Sequence, residues 1–380
     1  MGDLGQIEEE SEGHLLRVEK AHIRGTMLLQ DSALLTWGDG KDGKLGHHTE
    51  ESLHVPYMIA ALQQIPIMSA ALGKNHSLFL TEEGMVLACG NGQFGQLGLG
   101  AMEDARLTPV LIQGLNSITQ VAAGDFHSMA LNKEGILHAW GCGSWGKLGQ
   151  SYDGNVSAPR VVSTLTSSQV QSVACGGHHT ACITVTGDVW TWGKGYRGQL
   201  GHKTVQEEYS PRLVSLLRRQ GASKIVCGDD HTLVKCLNGR VFVFGANKYG
   251  QLGLGDLVDR QIPIDIDSQG HNLFTNDPVA DVAAKGNMSM ILTNTGRVYM
   301  FGDGEDEQRQ HFRRPTHIHV IPKGEFISSV ACLHDRAYAL SDAGRLYRWS
   351  SRDVNLDPDN AAMLGPQFVC QLFSVLCFLT

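Results

Sequence analysis

The chain carries few charges, and the acidic ones predominate. Only 18% of its 380 residues are charged, with 39 acidic against 31 basic residues and a net charge of -8. Nonspecific binding to DNA or RNA depends on clustered lysine and arginine side chains that neutralise phosphates. The composition therefore argues against direct nucleic-acid binding.

Disulfide, export and membrane signals are also scarce. The nine cysteines are odd in number and include no Cys-x-x-Cys pair, which is typical of a reduced intracellular protein. No basic region leads into an apolar core near the first residues, so no secretory signal is expected. The apolar segment at residues 366–380 has only about 13 apolar-rich residues, whereas a membrane helix needs about 20. We expect an intracellular protein without a membrane span, in the cytoplasm in preference to the nucleus.

Motifs of bond-making chemistry are missing as well. The segments GDGKDGKL at Gly38 and GCGSWGKL at Gly141 approach a phosphate-binding loop. Leu45 and Leu148, however, stand where that loop needs a hydroxyl to hold magnesium. No Ser-His-Asp, paired-carboxylate or zinc-ligand spacing occurs outside a repeated pattern. We therefore predict no catalytic residues, no cofactor and no metal.

Glycine is abundant, with 45 residues, and it recurs with a period of about 52 residues. An aromatic-Gly step and its variants occur at Gly38, Gly90, Gly141, Gly193, Gly245 and Gly302, with Ser350 in the seventh slot. Five copies then close on Leu-Gly. Four copies also carry Gly-x-x-His-(Ser/Thr) before the step, with their histidines at His76, His127, His179 and His231. Such a period indicates a solenoid, a propeller or an array.

The segments between these landmarks have strand chemistry. Runs such as HTACITV and GRVFVFG alternate apolar and polar residues and are bounded by turn residues. A sheet of about four such strands cannot bury its own faces, whereas seven sheets arranged radially cover one another. We predict an all-β, seven-bladed β-propeller as a single domain over residues 18–380. We expect an acidic flexible arm over residues 1–17 to precede it.

Two segments depart from the regular unit. The step from Gly245 to Gly302 is longer than its siblings, which localises an insertion to about residues 266–277. Residues 366–380 match the first strand of a new unit, and we predict that they complete the first blade and close the ring. The alternative for this segment is a membrane or partner-bound helix.

The repeated residues have structural interpretations. The glycines are expected to allow tight turns and close blade packing, where a Cβ atom would not fit. Equivalent residues of a ring lie in separate blades, so the four histidines are predicted to be buried and hydrogen-bonded to turn backbone instead of binding a metal. The tryptophans that share the strand slot are predicted to lie in the core.

These residues resemble the regulator of chromosome condensation repeat family. The resemblance rests on Gly-x-x-His-(Ser/Thr) followed by aromatic-Gly-x4-Gly-(Gln/Lys)-Leu-Gly, and it covers about residues 18–350. It implies a seven-bladed propeller used for binding. The family's founding member is a guanine-nucleotide exchange factor for the small GTPase Ran, and that factor inserts a β-wedge into one loop of its third blade. The corresponding loops here are short, and the arm is acidic where the chromosome-binding member has a basic tail.

We expect a protein-binding platform that engages a small GTPase or another regulatory protein. The alternative is a guanine-nucleotide exchange factor that opens the nucleotide pocket of a GTPase. Turn residues that differ between units while the frame stays constant are candidate contacts, although solvated loop variation explains the same pattern. The insertion at 266–277 and the arginine cluster of the irregular sixth unit both break the period, and we predict that together they form part of a partner surface. The candidate partner-binding residues are Trp145, Tyr196, Arg197, Lys248, Tyr249, Leu273, Phe274, Arg309, Arg313 and Arg314.

Overall fold

The computed structural model describes residues 25–28, 34–269, 272–302, 307–319, 321–322, 324–333 and 336–349. These residues form seven antiparallel sheets in sequence order, of which the first and last have three strands and the others four. The architecture is an all-β propeller, and the expected four strands per unit are present in units two to six. The predicted arm (1–17) and closure strand (366–380) lie outside the described residues.

The strands are numbered along the chain, and each sheet takes consecutive numbers. The first sheet contains β1 Gly25–Leu28, β2 Leu34–Gly38 and β3 Leu53–Met58. The second contains β4 Ile67–Leu72, β5 His76–Thr81, β6 Val86–Gly92 and β7 Glu103–Leu111. The third contains β8 Ile118–Ala123, β9 His127–Asn132, β10 Leu137–Gly141 and β11 Val156–Val161. The fourth and fifth contain β12 Val170–Cys175, β13 His179–Thr184, β14 Val189–Gly193 and β15 Glu208–Leu213; and β16 Ala222–Cys227, β17 His231–Cys236, β18 Val241–Gly245 and β19 Arg260–Asp265. The last two contain β20 Val279–Lys285, β21 Met288–Thr293, β22 Val298–Gly302 and β23 Thr316–His317; and β24 Ile327–Leu333, β25 Arg336–Ser341 and β26 Leu346–Trp349. Short 3-10 helices cover Lys41–Gly43, Ala60–Leu62, Ser144–Gly146, Ser163–Leu165, Ser215–Leu217, Ile266–Gln269 and Glu307–Arg313.

Neighbouring sheets bury one another's faces. The first strand of each sheet contacts the first strand of the next, from β4 and β8 through to β20 and β24. One cluster of buried side chains runs through the second, third and fourth sheets and includes Leu78, Trp140 and Trp192. Complete burial of a large apolar side chain contributes about 1.5–3 kcal/mol relative to exposure. The stability of each sheet therefore depends on its neighbours.

The two ends of the sheets define two faces of the propeller. The turn face carries the loops that join the first strand to the second and the third strand to the fourth. In the fourth sheet, Gly193 pairs with both His179 and Glu208, and these three residues mark the turn-face end of their strands. The hairpin face carries the tight hairpins from second to third strand and the connections to the next sheet. The strand direction thus decides which loops can touch a single partner.

The four repeat histidines join neighbouring sheets. Each is fully buried, and its Nε2 atom lies 2.8 to 3.0 Å from a hydroxyl of the next sheet. The pairs are His76–Ser128, His127–Thr180, His179–Thr232 and His231–Ser289. Each of these hydroxyls donates its one proton to a turn carbonyl of the sheet before its own, as Thr180 does to Lys147 at 2.8 Å. The hydroxyl must therefore accept from the imidazole, which carries its proton on Nε2. The histidines are structural, as predicted, and the Nε2 partner in each pair is a hydroxyl of the next sheet.

Burial keeps the imidazoles of His127, His179 and His231 neutral, because it lowers the pKa of each. It lowers the pKa of His179 to about 4 and that of His231 to about 3, because a charged ring would lose its hydration. The glycine three residues earlier is required, since a Cβ on Gly176 would lie 2.2 Å from the ring of His179. In the sixth sheet Met288 replaces the histidine, and Ala337 of the seventh sheet occupies the hydroxyl position. Both members of the polar pair are thus absent together.

Candidate partner-binding surface

The variable residues of the turn face sit in four-residue turns that share one frame. In the third and fourth sheets the closing hydrogen bonds run from Gly146 N to Gly143 O at 2.9 Å and from Gly198 N to Gly195 O at 2.8 Å. The residue after the turn is buried and is glutamine or lysine. Its identity decides how the central peptide of the turn points.

Glutamine and lysine hold the turn in different conformations. In three sheets the glutamine Oε1 accepts the backbone N–H of the third turn residue at 2.9 Å, as in Phe94–Gln96, Arg197–Gln199 and Tyr249–Gln251. Lysine has no acceptor. In the third sheet the central peptide is reversed, and the carbonyl of Ser144 faces the ammonium of Lys147 at 3.3 Å. Trp145 therefore has a φ of 61° and a ψ of 16°, which is a type II turn with a side chain where glycine is preferred.

The Trp145 ring is half-buried and surrounded by cations. Its centroid lies 4.8 Å from the ring of His178, and the ammonium groups of Lys147 and Lys194 lie 5.2 and 5.6 Å from it. Burial lowers the pKa of His178, which favours a neutral ring against the indole. A left-handed conformation costs a non-glycine residue of the order of 1–3 kcal/mol, and such residues cluster at functional sites. Trp145 is thus held in a costly conformation with part of its ring accessible.

The other predicted turn residues continue around the same face. Tyr196, in the fourth sheet, is 51% exposed and donates its hydroxyl to Glu207. Arg197 pairs with Asp259 of the fifth sheet, with 3.2 Å between Nη1 and Oδ2. In the fifth sheet the Lys248 ammonium lies 5.2 Å from the ring of Tyr249. The structure therefore brings all five turn candidates onto three consecutive sheets of one face.

Sequence reasoning missed further members of this surface. Phe94 is 37% exposed, and its ring lies 5.5 Å from that of Phe126. The Lys74 ammonium lies 5.7 Å from the Phe126 centroid. Phe94 occupies the same turn position as Trp145, and Phe126 directly precedes a repeat histidine, as His178 does. Comparing these two positions between the repeats would have identified both residues from the sequence. We call Phe94, Phe126, Trp145, Tyr196 and Tyr249 the aromatic arc.

The insertion and the arginine cluster do not extend this surface together. Phe274 is buried, with its ring 5.4 Å from that of Tyr299, so it cannot serve as the exposed contact that was predicted. Leu273 remains 37% exposed, on the hairpin face. The helix Glu307–Arg313 follows Gly302 and lies on the turn face, where the carbonyl of Arg313 accepts from Gly255 N at 2.8 Å.

The prediction that the insertion and the arginines share one partner surface is therefore wrong, because the two lie at opposite ends of the sixth sheet. Arg314 follows the helix Glu307–Arg313 on the turn face. Arg309 lies within that helix, and its side chain is outside the described part of the chain.

Comparison with known proteins places this geometry in a family. The family model of the RCC1-like domain matches residues 28–355. The chain belongs to the RCC1-like domain family. Within the described ranges, no helix has the length and apolar character that crossing a bilayer requires.

The chain covers very different shares of its relatives. The E3 ubiquitin-protein ligase HERC2 of Mus musculus is 31% identical over 349 residues, which are 88% of this chain and 7% of the ligase. The ultraviolet-B receptor UVR8 of Arabidopsis thaliana is 30% identical over 329 residues, 85% of this chain and 73% of the receptor. The chain thus spans a small part of the ligase and most of the receptor.

The solved structure of yeast RCC1 (Prp20) bound to Kap60 has the same fold. It superposes with a TM-score of 0.73 at 22% identity, and the alignment covers 96% of this chain and 91% of that one. Another structure of Prp20p, from Saccharomyces cerevisiae, a protein with binding properties to Gsp1p and histones, gives a TM-score of 0.71 at 23% identity.

Proposed function

We propose that this RCC1-like propeller is a protein-binding platform whose turn face, centred on the aromatic arc, captures a small GTPase or another regulatory protein inside the cell. The observation that carries the proposal is Trp145, a half-buried tryptophan in a left-handed conformation with two lysine ammonium groups beside its ring. Tryptophan, tyrosine and arginine dominate the energetics of protein interfaces. Three neighbouring turns present such residues here.

The predicted result of Trp145→Ala combined with Tyr196→Ala is loss of partner capture without loss of fold. Truncation of a central aromatic anchor commonly weakens binding by about 2 kcal/mol or more, which is about thirtyfold in affinity. The measurement is affinity capture from cell lysate followed by mass spectrometry. Thermal melts of the same preparations report the fold.

The matched control is Phe326→Ala, which removes a ring of 46% exposure at the start of the seventh sheet, on the hairpin face. It should leave capture by the turn face unchanged. Equal recovery of every partner by the Trp145/Tyr196 variant and the wild type would show that the aromatic arc is not the binding surface.

The second candidate function is guanine-nucleotide exchange. The shared fold with Prp20p, which has binding properties to Gsp1p, supports this candidate. An exchange factor opens the nucleotide pocket of its GTPase and needs no bond-making residue of its own. Release of a fluorescent guanine nucleotide from a panel of small GTPases separates the two functions, because a platform binds without accelerating release.

We also propose that the ring has seven blades and is closed by residues 366–380. The seven sheets of the described residues support the number. Their first sheet has only three strands, so one strand position is open there. Deletion of residues 366–380 is expected to lower the melting temperature and to promote oligomers through exposed sheet edges. Size-exclusion chromatography and a melt test this, and a monomer as stable as the full chain would favour a tail over a closure strand.

A further inference from the structure

The hairpin face exposes apolar side chains where the fourth and fifth sheets meet. Val185 and Leu237 stand at the two hairpin tips with 58% and 80% of their surfaces exposed, and Leu216, in the connection between the sheets, is 46% exposed. The equivalent tip position of four other sheets holds Glu82, Lys133, Asn294 and Asp342. A charged or polar tip is therefore the rule in this chain, and the fourth and fifth sheets depart from it.

The same connection carries two arginines. Arg218 and Arg219 are exposed, and neither guanidinium forms an ion pair with any residue that the structure describes. Two earlier connections hold neutral residues at these positions, namely Gln63 and Gln64, and Asn116 and Ser117. The repeat frame does not require a charge here, so the basic pair is a local addition.

These departures lie on adjoining segments of the backbone. Leu237 N donates to Gly221 O at 2.8 Å, which ties the fifth hairpin to the connection that carries the arginines. A Cβ on Gly187 would lie 3.5 Å from the Cα of Gly221, so the fourth hairpin adjoins the same connection. Val185, Leu216, Arg218, Arg219 and Leu237 together are named the hairpin-face patch.

A groove continues the patch into the sixth sheet. It has a volume of about 390 Å³ and lies between the hairpin residues Asn238 to Val241 and the insertion, with Phe274 and Pro278 in its lining. Arg240, on its rim, is paired with Asp265 at 2.7 Å. The groove is large enough to receive an apolar side chain from a segment that lies across Leu237.

The charge of the hairpin-face patch indicates what kind of segment it binds. The chain as a whole carries a net charge of -8, whereas the connection between the fourth and fifth sheets carries two adjacent exposed arginines. The hairpin-face patch combines two arginines without ion-pair partners among the described residues and three exposed apolar side chains. We propose that this patch binds an acidic amphipathic segment of a second protein, at the opposite end of the propeller from the aromatic arc. The platform then holds two partners on two faces.

The probe is a fluorescein-labelled synthetic peptide in which leucines recur every three or four residues among glutamates, titrated with the full chain by fluorescence anisotropy. Micromolar binding that weakens with added salt is expected, because exposed charges are screened. Leu237→Asn, which introduces the residue of the sixth hairpin, should weaken binding by about tenfold through loss of a buried apolar contact. Arg218→Gln with Arg219→Gln should weaken binding several-fold and remove most of its salt dependence.

The matched control is Lys133→Asn, the same replacement at the tip of the third hairpin, which should bind as the wild type does. Each variant takes a residue that a sibling repeat already carries at the equivalent position, and equal melting temperatures verify the fold. The proposal fails if Leu237→Asn and Lys133→Asn bind alike, or if a peptide with lysines in place of glutamates binds as well. It also fails if the chain does not bind the acidic peptide but sediments with phosphatidylserine vesicles, and Leu237→Asn abolishes that sedimentation. Such a result would make the patch a membrane contact.

Discussion

Gly193→Val is expected to lower the free energy of unfolding by about 3 kcal/mol or more, enough to compromise folding of the fourth sheet. The φ of Gly193 is 105°, a conformation that a β-branched residue rarely adopts. A Cβ there would also lie 2.8 Å from the carbonyl oxygen of His178 and 2.8 Å from the Cα of His179. Both contacts are backbone atoms, so no rotamer change relieves them. Urea unfolding measures the loss.

Gly114→Val separates strain from steric clash. Gly114 has a φ of 80°, but a Cβ there meets no atom within 4 Å. Its replacement should cost only the backbone strain, about 1–2 kcal/mol. If the two valine variants unfold at the same urea concentration, the close approach at the aromatic-Gly step has no energetic weight, and the explanation of the glycine repeat given above is wrong.

Acid should destabilise the propeller through its buried histidines. Above a pH of about 6.5 the imidazoles are neutral in both states and contribute no pH dependence. As the pH falls below that value the unfolded chain binds protons, whereas folded His231, with its pKa lowered to about 3, does not. One such histidine costs about 3 kcal/mol by a pH of about 4, since each unit is worth about 1.4 kcal/mol.

One interface of the propeller already lacks the buried histidine, and it suggests a variant with weaker acid sensitivity. Replacing His231 and Ser289 by methionine and alanine copies the pair Met288 and Ala337, which occupies the next interface. The double variant His231→Met/Ser289→Ala should lose stability less steeply than the wild type between neutral pH and about pH 4.5, by about one proton in the linkage slope. The single variant Ser289→Ala leaves a buried imidazole N–H without its acceptor and should cost about 1–3 kcal/mol at neutral pH.

The control for the acid experiment is His54→Met, because His54 is exposed in the first sheet. It should leave the slope of unfolding free energy against pH unchanged. A slope for the double variant that equals the wild-type slope would mean that His231 is not the proton-linked group.

The repeat pattern predicted the frame well because each repeated residue has a local reason to recur. The glycines at the aromatic-Gly step mark strand ends with positive φ, and the alternating runs became the predicted strands. The partner of each histidine was not predictable from one unit, because Thr232, which bonds His179, lies one period away in the next sheet. A pattern within one unit does not predict hydrogen bonds between neighbouring units.

The candidate site was predicted in part. Turn residues such as Trp145 and Tyr196 are identifiable because they vary within a constant frame. His178 and Lys194 flank Trp145 but lie in two loops of the fourth sheet, which only the sheet topology brings near. The insertion and the arginine cluster were joined because both break the period. Sequence distance carries no information on which end of a strand a loop occupies, and the two lie on opposite faces.

The buried residue after each turn has a consequence for how such a surface diversifies. Gln199 and Lys147 occupy equivalent positions out of contact with solvent, yet one points the turn's N–H inward and the other its carbonyl. A single inherited change from glutamine to lysine can therefore re-aim the neighbouring side chain while every exposed residue keeps its identity. Two descendants of one propeller can differ in what they recognise although their surface sequences are the same.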